Sequence, residues 1–164
     1  GARRDDSMAP QGLSVWSRAQ RTLQMAEAWA TFGDWVQRDV PRFSFLVARS
    51  LMAGSAVSAA DLAAAALVRD EVRGRLAQLV PPGTVLCLPT TPGPAPYKGL
   101  PLPAMDRVRD RISCLCAQGG LAGHPQLSLP LATLDGTPIG LSILGARGSD
   151  LELIAVAQAL AQHP

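Results

Sequence analysis

His124 and His163 are the only imidazoles in this chain, and Lys98 is its only lysine. Serine-based hydrolysis needs a nucleophile, a base within hydrogen-bond reach and a group that orients the base. His124 is wedged between Gly123 and Pro125, and His163 is next to the last residue. No GxSxG elbow is present. The residues therefore predict no self-contained Ser–His–Asp site. Cys87, Cys114 and Cys116 include no CxxC pair, and the two histidines are far apart in sequence. That spacing argues against a zinc site and against a disulfide framework. Neither a Gly-rich phosphate loop nor a paired-carboxylate motif stands out. No metal and no cofactor are expected.

The elements that must hold any chemistry begin with a long helical pattern from Leu13 to Val40. Trp16, Leu23, Ala26 and Ala30 form one apolar row; Met25, Trp29, Phe32 and Val36 form a second. Two rows predict a wide buried face. Gly33 is a candidate bend or break in this helix, and Pro41 ends it. A shorter helix is expected over Pro41 to Met52, with Gly54 at its exit. Ser58 and Asp61 resemble a capping box for a helix over Ala59 to Leu79. Leu62, Ala65, Val72, Leu76 and Leu79 would be its core face. Residues 84 to 89 read as a strand buried on both faces, which makes Cys87 a buried thiol. A Pro- and Gly-rich loop follows to Pro103, then a helix over Ala104 to Leu121. Its glycine-rich end permits close backbone approach and a left-handed exit. Leu127, Leu129 and Leu131 alternate with polar residues or proline, and Ile139, Leu141 and Ile143 alternate likewise. Asp135-Gly136 between them predicts a two-residue hairpin turn. Pro130 and Pro138 belong at strand ends or an outer edge. Ser149-Asp150 would cap a last helix with Leu153, Ile154, Ala157 and Leu160 facing inward. The fold class is α/β, and helices this apolar predict a larger sheet than three strands supply.

Apolar residues make up 48% of the chain but aromatics only 4%, so packing must rest on Ala, Leu and Val. The net charge of +2 is spread along the chain, which predicts no nucleic-acid partner. Arg107, Arg109 and Arg111 read as a solvated helix start. No apolar run is long enough to span a bilayer, so no membrane partner is expected. Residues 1 to 12 are polar and expected to be frayed and flexible. They lack the apolar core of a signal peptide. The few cysteines suit a reducing cytoplasm. Both ends read as cuts in a longer polypeptide.

Several stretches together resemble the amidase-signature family. They are Ala65 with Arg69; ValLeuCysLeuProThrThrProGlyProAlaPro at 85 to 96; LeuAlaGlyHisProGlnLeuSerLeuPro at 121 to 130; and ThrProIleGlyLeuSerIleLeuGly at 137 to 145, followed by Asp150 and a closing helix. The resemblance is specific from about residue 40 onward and looser over the first helix. It implies the C-terminal part of an α/β/α amidase-signature fold, a mixed sheet covered by helices, with residues 13 to 164 in one domain. It also implies hydrolysis of an amide C–N bond by a Ser–cis-Ser–Lys triad. That lysine and the Gly/Ser-rich nucleophile loop fall N-terminal to this chain, so no catalytic residue carries over and the chain alone is expected to be inactive. Lys98 is not the catalytic lysine, because it lies in the loop after ProThrThrPro.

The same resemblance places part of the substrate pocket here, with candidate positions at Arg49, Thr91 in the 90–96 loop, Ser113, Cys116 and Gly120. Many members carry Asn where Gly120 stands and Thr where Cys116 stands. Glutamine-directed amidotransferase subunits tend to place an acid near Ser113, so these departures weaken a glutaminase reading. The implied partners are a small-molecule amide and the N-terminal half of the same polypeptide, and a homodimer is compatible with the pattern. The alternative is a non-catalytic, amidase-like module that binds a ligand or a partner.

Overall fold

The computed structural model describes residues 8–162. Five helices and three strands follow the order α1 (Leu13–Asp39), α2 (Phe45–Ser55), α3 (Ala59–Leu79), β1 (Leu86–Pro89), α4 (Leu102–Ala122), β2 (Gln126–Leu134), β3 (Thr137–Leu144) and α5 (Asp150–Gln162). His163 lies outside the described residues, as do residues 1–7 of the expected flexible segment. Met8 and Ala9 pack against the first of two cores.

That first core joins α1, α3 and α4. Trp16 and Ala19 meet Ala65, Val72 and Leu76 of α3 and Leu121 and Ala122 of α4. Small residues at these positions let three helix backbones come close, which an Ala-rich chain with few aromatics requires. The capping box forms as the sequence predicts. Asp61 N–H donates to Ser58 Oγ, and Ser58 N–H donates to the Asp61 carboxylate, both at 3.1 Å. The Ser58 hydroxyl also donates to the Asp61 carboxylate at 2.6 Å, and this bond, helped by the one from Ser58 N–H, holds the Asp61 carboxyl below its usual range. The carboxylate's contribution to the cap is therefore fully present above the unfolded carboxylate pKa and is lost as pH falls through the lowered one, while the bond from Asp61 N–H to Ser58 Oγ does not titrate.

Several expectations need correction. Of the two apolar rows expected on α1, only Trp16 is fully buried; Leu23, Met25, Ala26, Trp29 and Val36 are half-buried, and Ala30 and Phe32 are exposed. The helix does not break at Gly33, and the Trp29 ring lies over that position, 3.0 Å from where a Cβ would be. It stops at Val40, which takes a left-handed conformation (φ 44°) just before Pro41. The next helix begins at Phe45, not Pro41. Gly54 is inside it and is no exit; it is the point where α2 crosses α1. A Cβ there would sit 2.2 Å from the carbonyl oxygen of Met25.

The sheet has the order β1-β3-β2, and both pairs are antiparallel. β1 is an edge strand, not one buried on both faces: Leu88 is buried, while Cys87 and Pro89 are exposed. An edge strand covered on one face leaves its alternate side chains in solvent. Cys87 is thus an exposed thiol. Asp135 and Gly136 both take positive φ, as a type I′ hairpin demands. Pro130 sits in the other edge strand, where the register shifts between Leu129 and Ala132. On one sheet face Ile143 packs with Leu153 and Ala157 of α5, forming the second core. Ile154 and Leu160, expected inside, are exposed. On the other face Gln126 reaches α4, with its Nε2 2.7 Å from Ser142 Oγ and 3.5 Å from the Leu115 carbonyl. The sheet therefore lies between α5 and the end of α4.

Two stability outcomes follow. Ser58→Ala removes the cap and lowers unfolding free energy by about 1 kcal/mol in urea titration. Gly54→Ala forces α2 off α1 and costs about 1–3 kcal/mol in the same titration. An unchanged midpoint for Gly54→Ala would show that the two helices separate without penalty.

Candidate functional site

Three helices each turn one face toward a cleft of about 830 Å³, and the faces of α1 and α4 are mostly polar. Each row keeps the three-to-four residue spacing of a helix face. From α1 come Ser17, Gln20, Arg21 and Gln24; from α2, Leu46, Arg49 and Ala53; from α4, Asp106, Arg109, Asp110, Ser113 and Cys116.

The cleft is spanned by one bidentate ion pair. Arg49 donates from Nη1 to Asp106 Oδ2 at 2.9 Å and from Nη2 to Oδ1 at 2.8 Å. This fork-to-fork geometry is the strong form of a guanidinium–carboxylate contact. The hydrogen bonds from Arg49 hold the Asp106 carboxyl below its usual range, with Arg109 and Arg21 adding to the effect. The same contact raises Arg49 above the ordinary arginine value. The guanidinium also lies 5.7 Å from the centre of the Phe45 ring, within cation–π range. One turn along α4, Arg21 of α1 pairs with Asp110.

Of the residues expected at the pocket, Arg49, Ser113 and Cys116 are brought together in this cleft. The Cys116 thiol donates to the Thr90 carbonyl at 3.4 Å, and burial pushes its pKa up. Gly120 lies just beyond, where a Cβ would come within 3.0 Å of Gln20 Nε2. Thr91 does not line the cleft; its hydroxyl donates to the Gly93 carbonyl at 2.8 Å within the loop.

His124 is buried, and its Nδ1 is 2.9 Å from the Gly145 carbonyl oxygen. That bond ties the end of α4 to the end of β3. Lys98 is exposed in the loop. Among the described residues, no three His, Cys, Asp or Glu side chains converge to hold a metal ion. Among them also, no single helix is long and apolar enough to cross a membrane.

Sequence reasoning missed Asp106, Asp110, Arg21 and Gln20. It followed the apolar rows of each helix and left the polar rows unread. The signal was present: Asp106, Arg109, Asp110, Ser113 and Cys116 recur at helical spacing on one face of α4. Arg109 is therefore part of the cleft wall rather than only a solvated helix start.

The family model for amidases matches residues 11–154. Amidase 1 of Oryza sativa subsp. japonica is 30% identical over 154 residues, covering 92% of this chain and 35% of that protein. Amidase 1 of Arabidopsis thaliana is 28% identical over 149 residues, covering 91% of this chain and 35% of that protein. A crystal structure of an amidase superposes with a TM-score of 0.78 at 28% identity, covering 97% of this chain and 37% of its own. The chain thus spans about a third of the length of the relatives it matches. Its helices and antiparallel strands correspond to part of the amidase-signature α/β fold, and the chain belongs to the amidase family.

Proposed function

We propose that this chain is the C-terminal part of an amide hydrolase and supplies scaffold and one wall of the substrate pocket. The observation that carries the reading is the family match across residues 11–154, which includes all three helices that build the cleft. In this reading the Ser–cis-Ser–Lys triad is upstream. Its serine attacks the carbonyl carbon of a small, non-peptide amide, and the C–N bond breaks. The amine leaves with a proton, and water then releases the acid from the acyl-serine. Arg49, Ser113, Cys116 and Gly120 contribute to the pocket, with Thr91 in the adjoining loop.

Exposed apolar side chains support a covering partner. Phe45 is 63% exposed, Met52 58%, Phe32 50% and Val47 46%, all on α1 and α2. Large apolar residues grouped on a surface mark interaction sites. The upstream half of the polypeptide is the cover proposed here, and a homodimer is a second use of the same helices. The free thiols Cys87, Cys114 and Cys116 support a reducing, cytoplasmic location.

The test compares residues 1–164 with the full-length protein on hexanamide. The full-length protein is expected to release ammonia, and residues 1–164 alone none. Serine-to-alanine substitution in the upstream Gly/Ser-rich loop should remove turnover. A full-length sequence lacking that serine and the lysine would overturn the hydrolase reading in favour of a non-catalytic binding module.

A further inference from the structure

We propose that Asp106 is a specificity-determining residue: an internal counter-ion that fits the cleft to uncharged amides and turns away substrates that bring a carboxylate to it. The inference rests on the reading of this cleft as the substrate pocket.

Arg49 is the group a substrate carboxylate would seek here, because its planar fork matches a carboxylate. Both of its terminal nitrogens are already committed to Asp106, at 2.9 and 2.8 Å. A carboxylate that took this fork would have to displace Asp106, and one that met the remaining guanidinium N–H groups would sit beside the Asp106 anion. Like charge set beside like disfavours such a ligand, and the half-exposed position of the pair keeps the bias moderate. The arrangement is doubled, since Arg21 is matched by Asp110 four residues further along α4. Arg109 is the remaining charge of the wall; it is exposed, and its field falls on Asp106. A solvent-exposed guanidinium is screened and holds an anion weakly. Between these charges, Ser17, Gln20, Gln24 and Ser113 offer neutral donors and acceptors, and Met25 and Leu46 offer apolar surface. Such a lining suits the body of a neutral amide.

The experiment measures kcat/KM of the full-length protein on three amides of similar length: hexanamide, adipamate and 6-aminohexanamide. They share the scissile bond and differ in tail charge: none, negative and positive. Wild type is expected to prefer hexanamide to adipamate. Asp106→Asn frees Arg49 and should raise the adipamate-to-hexanamide ratio about tenfold. Adding Arg49→Gln to that variant should cancel the gain, whereas Asp106→Glu should keep the wild-type order. Arg49→Gln alone leaves Asp106 unpaired and should shift preference toward 6-aminohexanamide. A merely structural role would lower all three rates together. Hexanamide turnover with ratios unmoved in both Asp106→Asn and Arg49→Gln, or a wild type that prefers adipamate, overturns the inference alone. A wild type that cleaves none of the three overturns the hydrolase reading and this inference with it.

Discussion

The crossing of α2 over α1 at Gly54 is the contact on which the cleft depends. Its Cα faces the Met25 carbonyl so closely that a Cβ would sit 2.2 Å from the oxygen. No side chain can be accommodated there without moving a backbone. That approach fixes how far Arg49, five residues earlier on α2, stands from α4. The guanidinium is long enough to reach Asp106 only because the helices pack at this separation. A glycine with ordinary helical φ thus sets an electrostatic contact more than a turn away. The constraint is steric and belongs to the backbone, so no rotamer change can relieve it.

α4 does three jobs with three faces, and their spacing explains its composition. Its polar row from Asp106 to Cys116 faces the cleft. Leu121 and Ala122 complete the core with α1 and α3. Gly119 lets the sheet approach, since a Cβ there would meet Gln126 Oε1 at 2.8 Å. The helix then ends in Gly123 with a left-handed φ of 77°, and both Gly123 and His124 donate to the Gly119 carbonyl. The His124–Gly145 bond closes the loop back to β3. His124 is therefore spent on architecture. A buried imidazole whose ring nitrogen is bonded to a backbone carbonyl orients a chain end.

Much of the fold was legible because local chemistry and global structure agree. Ser58 and Asp61 mark the start of α3 to the residue, and Asp135-Gly136 marks the hairpin. Where the reading failed, tertiary context decided. Cys87 has the apolar neighbours of a buried residue, yet strand order puts it on an edge. Phe32, Ile154 and Leu160 fit apolar rows that the described residues cover only in part. Of the site, family resemblance supplied Arg49, Ser113 and Cys116, while Asp106 stayed hidden. Its partner is 57 positions away, and no periodicity in either helix reveals a contact across two of them. Only the α1–α2 crossing makes it visible.

The first core and the cleft share α1 and α4, so stability and recognition are coupled through the same helices. Trp16 anchors the core while the adjacent Ser17 borders the cleft. Leu121 and Ala122 anchor the far end of α4, and Cys116 is less than two turns away. The cleft's charged pairs are half-exposed, with side-chain exposures of 47% and 36% for Arg49 and Asp106. Exposed pairs contribute little to folding. The packing of Trp16, Ala19, Leu121 and Ala122, not these pairs, therefore sets how α1 and α4 stand. The core fixes the helices, and the ion pairs set the charge along the cleft wall.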